Sequence, residues 1–396
     1  MARRGYTILL AAAIVLTGCL SAGAAKAQSV DTKALFAYLV DDDTGSVLLN
    51  KQGDDKMVPS SMTKLMTMYL LDERLKEGRV KLTDVFHVSE KAWRMQGSKM
   101  FVPLGGDVPV EDLVRGIIIQ SGNDACIVAA EGLSGSEENF AREMNRMAKK
   151  LGLNGSHFMN ATGWPDPEHY MTAHDLALLA HHVIHDYPDS YHYYTEKTFT
   201  YNRISQFNRN RLLGNDIGVD GLKTGHTDDG GYGITLSAKE PQSGRRLILV
   251  INGLQSDNDR MEEGDRLLRW GFREFQDVTV VKAGEAVDEA KIWFGVKPAV
   301  ALTAEKDVVL TLPANAEEAA KFKLVYTGPV PAPVQKGQHI ADLVVTLEGH
   351  ESQAVPLVAA EDVPKLSGFR KAWATLNYLV FERKHAAAPA AAPQKQ

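Results

Sequence analysis

A short hairpin near the start of the chain has no partner within reach. Strand-like runs Leu35 to Val40 and Ser46 to Leu49 flank the turn Asp41-Asp42-Asp43-Thr44-Gly45. A lone two-stranded hairpin is marginal in water. The runs that suit it as neighbours, Gly231 to Ala238 and Arg245 to Gly253, come only after a long helical block and are themselves joined by Pro241-Gln242-Ser243-Gly244. The sheet must therefore be assembled from both ends of one domain, which predicts an α/β (α+β) unit over residues 28–275. Within the block, Met62, Leu65, Met66, Tyr69 and Leu70 recur at helical spacing between Pro59 and Gly78. Pro109 to Ile119 reads as a second helix, Ser121 to Leu133 as a buried small-residue segment, and Ser136 to Leu151 as an amphipathic helix stopped by Gly152. Thr172 and Asp175 make a capping-box-like start for a helix bearing Leu176, Leu179, Val183 and Ile184, and a helix near Arg260 to Phe275 closes the domain.

After Phe275 the pattern changes to short β-rich runs: Val278 to Val281, Lys291 to Phe294, Val308 to Leu312, Lys321 to Thr327, Asp342 to Leu347 and Gln353 to Val358. They predict a small all-β sandwich over residues 276–362. Pro329 to Pro333 reads as a stiff loop within it, and no motif for chemistry occurs there. From residue 363 to 385, Leu366, Phe369, Trp373, Leu376 and Val380 fall on one helical face beside Lys365, Arg370, Lys371, Arg383 and Lys384. That is the pattern of an in-plane helix on an anionic membrane surface. The alternative is a helix that covers the β domain. Residues 386–396 read as a disordered Ala/Pro tail.

The 396 residues are 44% hydrophobic and 24% charged, a globular composition long enough for two domains. A net charge of -6 argues against a general nucleic-acid surface. Arg3 and Arg4 precede an apolar run that ends in Ala25-Lys26-Ala27, the layout of a secretory signal over residues 1–27. The expectation is an exported, periplasmic protein held peripherally on the outer face of the cytoplasmic membrane. Leu16-Thr17-Gly18-Cys19 offers a second processing site, at which Cys19 would be lipidated. Without Cys19 only Cys126 remains, so no disulfide can form within the chain, and its apolar setting from Ala125 to Ala130 predicts an inert buried thiol.

Ser61-Met62-Thr63-Lys64 places a hydroxyl and an amine one helical turn apart. Serine needs a base, and lysine serves only when burial or nearby positive charge makes its amine neutral. Alone the pair is weak, since many surface helices contain one. Ser121-Gly122-Asn123 follows the apolar Ile117 to Ile119, and Lys223-Thr224-Gly225 precedes the strand-like Gly231 to Ala238. In this order, separated by about 60 and 100 residues, the three elements match the motif set of β-lactamases and penicillin-binding proteins.

The chain resembles the low-molecular-mass penicillin-binding proteins, the serine-type D-alanyl-D-alanine carboxypeptidases, from about Ala34 to Phe381. The resemblance implies a β-lactamase/transpeptidase-like antiparallel sheet with a helical block. It implies removal of the terminal D-alanine from peptidoglycan stem peptides through an acyl-enzyme, with acylation by β-lactam antibiotics. On that pattern Ser61 is the nucleophile, Lys64 the base and Ser121 a proton relay. Asn123 would bind the substrate amide, and Lys223 would keep Lys64 neutral and attract an anionic substrate. The N–H groups of Ser61 and His226 would hold the oxyanion, Gly225 belongs to the same triplet, and Thr224 and Arg260 would meet the terminal carboxylate. From its neighbours Asn258-Asp259-Arg260-Met261-Glu262 alone, Arg260 reads as an ordinary helix residue.

A DD-endopeptidase acting on cross-links is the alternative with the same machinery. A class A β-lactamase is disfavoured because Glu-x-x-x-Asn is missing from the corresponding segment, Trp164 to Tyr170, where Glu168 reads as a loop residue. No cofactor is expected. A zinc hydrolase is the rival chemistry: His174, His181 and His185 share a helical face, but no glutamate stands between the last pair as in His-Glu-x-x-His, so no metal is expected.

Overall fold

The computed structural model describes residues 30–314, 321–346 and 353–368. The expected secretory signal, Cys19 and the Ala/Pro tail lie outside the described residues.

The hairpin forms as β1 (Phe36–Asp41) and β2 (Val47–Lys51). Its missing partners are β3 (Val219–Thr227), β4 (Gly231–Lys239) and β5 (Arg246–Leu254), giving an antiparallel sheet of order β2-β1-β5-β4-β3. β1 lies against β5 with Leu39 opposite Leu249, so the first and last strands of the domain pair at its centre. Side chains alternate between two cores, as the period of a strand requires. Tyr38, Ile248 and Val250 join the helical block on one face. Leu39, Leu249 and Ile251 face Met261, Leu267, Leu268 and Trp270 on the other.

The helical block contains α1 (Lys64–Lys76), α2 (Val110–Ile118), α3 (Asn123–Ser134), α4 (Glu137–Leu151) and α5 (Ala173–Asp186), and α6 (Asp257–Glu274) closes the domain. The small-residue segment after Ser121 is thus a helix, with Ala125 to Ala130 fully packed. Ser136 caps α4 by accepting from Asn139 N, Gly152 ends it at φ 80°, and Thr172 caps α5 by accepting from Asp175 N. Two small ribbons, Val85–His87 with Asp107–Pro109 and Thr198–Tyr201 with Ile204–Phe207, had no clear counterpart in the sequence reading.

The second region has a ribbon of β6 (Phe275–Val281) with β9 (Val308–Pro313). Its larger sheet contains β7 (Ala286–Trp293), β8 (Ala299–Thr303), β10 (Lys321–Val325), β11 (Val330–Pro331), β12 (His339–Thr346) and β13 (Gln353–Ala359), in the order β10-β12-β13-β8-β7-β11. Val281, Leu302, Leu312, Leu343 and Leu357 share its core. The proline-rich stretch is not wholly loop, because Val330 and Pro331 pair in parallel with Ile292 and Trp293. Residues 363–366, expected as the first turn of the terminal helix, are instead extended. Val363 bridges Val334, Lys365 bridges Gly295, and Leu366 N–H donates to Phe294 O at 2.7 Å. The rest of the expected amphipathic helix, beyond Gly368, lies outside the described residues.

The two regions meet at Arg245. Its Nε donates to Asp41 Oδ2 at 2.6 Å and lies 3.3 Å from Asp277 Oδ1, while Nη1 donates to Phe275 O.

Candidate active site

Ser61 lies in a single 3-10 turn, Ser60–Thr63, that runs directly into α1. The turn is wedged between two backbones that come unusually close. At Gly225 on β3 a Cβ would sit 2.8 Å from Pro59 O, and at Gly163, φ 77°, it would sit 1.8 Å from Ser60 O. Any side chain at either position would push the Ser61 turn out of place. Ser60 itself is buried and shares a 2.7 Å hydrogen bond with Thr227, which leaves Ser61 as the hydroxyl at the cleft.

One helical step later, Lys64 is 1% exposed. Its Nζ donates to Ser61 Oγ at 2.8 Å, Asn123 Oδ1 at 2.8 Å and Thr162 O at 2.7 Å. Burial is the main reason its pKa falls to about 8, since an ammonium there has lost its water. Arg209 is the neighbouring charge that lowers it further.

Ser121 follows α2 in the left-handed region, φ 56°, a conformation costly for a residue with a Cβ. Its buried Oγ accepts from Lys223 Nζ at 2.9 Å. Lys223 comes from β3, the edge strand of the sheet, and also donates to Thr224 O at 3.0 Å. Its pKa is depressed well below the usual lysine value, first by burial and then by Lys64. The sequence reading made Lys223 the charge that neutralises Lys64. In the folded protein burial dominates at both amines; Lys64 then opposes a proton on Lys223, whereas the charge that opposes one on Lys64 is Arg209.

Asn123 begins α3 with both ends of its amide engaged, Oδ1 by Lys64 and Nδ2 by Gln96 O at 2.8 Å. It serves in this conformation as a bracket for Lys64 rather than as a free donor to a ligand. Thr224, Gly225 and His226 follow Lys223 along β3 and line the cleft, with the His226 ring stacked on Tyr232 at 3.9 Å. Arg260 reaches the same cleft from the first turn of α6. It is 4% exposed, donates to Gly225 O and Gly233 O at 3.0 and 3.3 Å, and pairs with Asp257. It is therefore not the solvated helix residue its neighbours suggest.

The cleft, about 490 Å³, runs from Ser61 past Thr224 to Arg260 and carries Arg209 and Arg211 as further cations. The sequence reading missed Arg209, whose Nη1 donates to Ser98 Oγ at 2.7 Å, and Thr162, whose carbonyl holds Lys64. Neither has a local signal: a backbone acceptor is anonymous in sequence, and Asn208-Arg209-Asn210 reads as a polar loop. His169 was passed over within its loop as well. It is buried, accepts from Met159 N–H through Nδ1 and bonds Thr63 Oγ1 through Nε2, so it is neutral with its proton on Nε2. Glu168 beside it is exposed, as expected of a loop residue. Cys126 is fully buried, and desolvation raises its thiol to about 12. His174 is separated from the other two histidines, pairing with Asp54 at 2.9 Å and stacking on Tyr38, so the trio expected of a zinc hydrolase does not assemble.

A hydroxyl in contact with a desolvated amine, backed by a second lysine on a sheet edge in a cationic cleft, is an arrangement suited to a serine hydrolase. Comparison with known proteins makes this specific. Residues 22–256 match the peptidase S11 family, D-alanyl-D-alanine carboxypeptidase, and residues 275–365 match the C-terminal domain of penicillin-binding protein 5. The chain belongs to that family of carboxypeptidases. It is 40% identical over 356 residues to D-alanyl-D-alanine carboxypeptidase DacC of Escherichia coli, covering 88% of each chain. Penicillin-binding protein 5 from Haemophilus influenzae superposes with a TM-score of 0.78 at 36% identity, covering 85% of this chain and 99% of that one. Penicillin-binding protein D2 from Listeria monocytogenes, solved in its ampicillin-bound form, matches with a TM-score of 0.56 at 27% identity, over 62% of this chain and 99% of that one.

Proposed function

We propose that Ser61 attacks the carbonyl between the two terminal D-alanines of a peptidoglycan stem, releasing one D-alanine and leaving an acyl-enzyme that water hydrolyses. The observation that carries this reading is the 2.8 Å contact from Lys64 Nζ to Ser61 Oγ, made by an amine whose pKa is brought down to about 8. A neutral amine has two N–H donors and one lone pair. When the amine gives up its proton, Asn123 Oδ1 and Thr162 O keep its two N–H groups, and the third position, which donates to Ser61 Oγ in the ammonium form, becomes a lone pair facing Ser61 O–H. Lys64 is thereby a base aimed at one proton.

Ser121, held by Lys223, returns a proton to the departing D-alanine amine. Lys223 and Ser121 thus act as one unit. The N–H groups of Ser61 and His226 stabilise the oxyanion, and Thr224 with Arg260 receives the terminal carboxylate, with Arg209 adding to the field that attracts it. A penicillin, whose reactive amide is also followed by a carboxylate, acylates the same serine. Export to the periplasm and peripheral attachment to an anionic membrane by the segment after Gly368 belong to the same proposal; the basic and apolar pattern from Phe369 to Lys384 supports the attachment. The test is D-alanine release from a pentapeptide stem, with peptide mapping of a fluorescent penicillin adduct. A label on any residue other than Ser61, or no D-alanine released, would overturn the reading.

A further inference from the structure

Two half-exposed histidines of α5 converge on one buried carboxylate far along the chain. His181 Nδ1 lies 2.7 Å from Asp42 Oδ1, and His185 Nε2 lies 2.8 Å from Asp42 Oδ2. The donor atoms all fall within 4.8 Å of one another, and the two rings stand 4.3 Å apart. We propose that Asp42, His181 and His185 are the protein ligands of a zinc ion that fastens α5 to the β1–β2 turn.

The arrangement suits the ion in donor type, spacing and access. Two imidazoles and a carboxylate are a donor set that favours zinc over the hard cations magnesium and calcium. With zinc bonds of about 2.0 to 2.2 Å, tetrahedral donors sit about 3.3 Å apart, so each Asp42–histidine contact need open by only about half an ångström. Histidines at i and i+4 share a face of α5 without any backbone change. The Asp42 side chain is 1% exposed and its N–H is fixed by Arg246 O, which holds one ligand rigidly. The rings are 41% and 47% exposed, leaving an open side for the ion to enter and for a water to complete the tetrahedron. Asp43 and Asp186 add negative field at His181.

The other close acidic group, Asp41, Asp43 and Asp277, has two members already paired with Arg245 and is not such a site. The sequence contains the histidine pair but not the ligand that completes it, because Asp42 sits in a hairpin turn with nothing to mark it. Asp41, its neighbour, holds the Arg245 junction with the β domain, so the ion would stiffen the turn from which that junction hangs.

The test uses the exported chain purified without a histidine tag. Equilibrium dialysis against zinc should give one bound ion per chain, cobalt should produce the visible absorption of a tetrahedral site, and the melting temperature should rise with zinc. In the His181→Gln/His185→Gln double variant, binding should weaken by more than about tenfold and the cobalt bands should vanish, because two of three protein ligands are gone. D-alanine release by that variant should match the wild type, showing it folded. His174→Gln should bind zinc as the wild type does. The proposal is overturned if the wild-type chain takes up no zinc in dialysis, or if the double variant retains the stoichiometric site.

Discussion

The two domains spend their interiors differently. The catalytic domain buries Lys64, Lys223, Arg260, Asp72, Asp124 and Glu263, whereas among the described residues of the β domain the buried polar side chains are Thr303 and Thr311. Each buried charge in the first domain must be met by hydrogen bonds or be neutralised, a carboxylate by taking up a proton and an amine by giving one up. Asp124 shows the first solution, accepting N–H bonds from Met100, Phe101, Val102 and Ala125. Asp72 shows the second, its carboxyl pushed up to about 7 by burial. Lys64 combines both. The β domain carries no such burden, and its packing of Val, Leu and Ala is what a supporting module needs.

This contrast breaks most sharply at Ser61. Ser61→Ala should abolish D-alanine release and penicillin labelling while leaving the circular dichroism spectrum unchanged, since the lost atom is at the cleft and not in a core. Adduct formation at Ser60 in that variant would refute the assignment. Lys64→Ala should slow acylation by about 10² to 10⁴. The pH profile sharpens this: the base must be neutral, so acylation of an uncharged-side-chain substrate should fall about tenfold per unit below about pH 8 and level off above it. A rate flat from pH 5 to 10 would remove Lys64 from the role.

In the β domain the sensitivity should invert. Leu357 is fully buried on β13, and Leu357→Ala should destabilise that domain by about 2 to 5 kcal/mol through lost contacts and a cavity. Steady-state D-alanine release below the melting transition should be unchanged. A matching loss of kcat would mean that the domains are coupled more tightly than the Arg245 junction implies.

Legibility in the sequence follows the same divide. Repetitive packing writes itself plainly: the apolar runs of β1, β4 and β5, the cap at Thr172 and the stop at Gly152 were readable, and so was a sheet closed by distant strands. β3 was not recognised as a strand, because Asp220, Gly221 and Gly225 are poor strand formers, yet this edge carries Lys223, Thr224, Gly225 and His226. Its glycine is there for the close approach of the Ser61 turn, a tertiary demand with no local trace. The three motifs were legible as a set because the chemistry proposed for them requires particular residue types. Thr162 O, Arg209 and Asp42 act through position alone. The Asn123 amide, expected to bind the substrate amide, has its oxygen held by Lys64 and its nitrogen by Gln96 O, partners with no local trace in the sequence.

The smallest effect should come from His169, which ties the catalytic domain's stability to acid. Burial lowers its pKa to about 4, and Nδ1 must stay unprotonated to accept from Met159 N–H. In the unfolded chain the same ring takes a proton near pH 6.5. Between about pH 6.5 and 4 the unfolded state therefore binds more protons, so stability present above 6.5 is lost as pH falls through this window, at about 1.4 kcal/mol per pH unit. Thr63, its partner, sits between Ser61 and Lys64, so the acid-induced loosening starts beside the nucleophile. Urea melts of the catalytic domain at pH 7 and pH 5.5 should differ by about that amount more than melts of a His169→Gln variant do, with the β domain's transition serving as the internal reference. An identical acid dependence in the two proteins would show that His169 is not the group responsible.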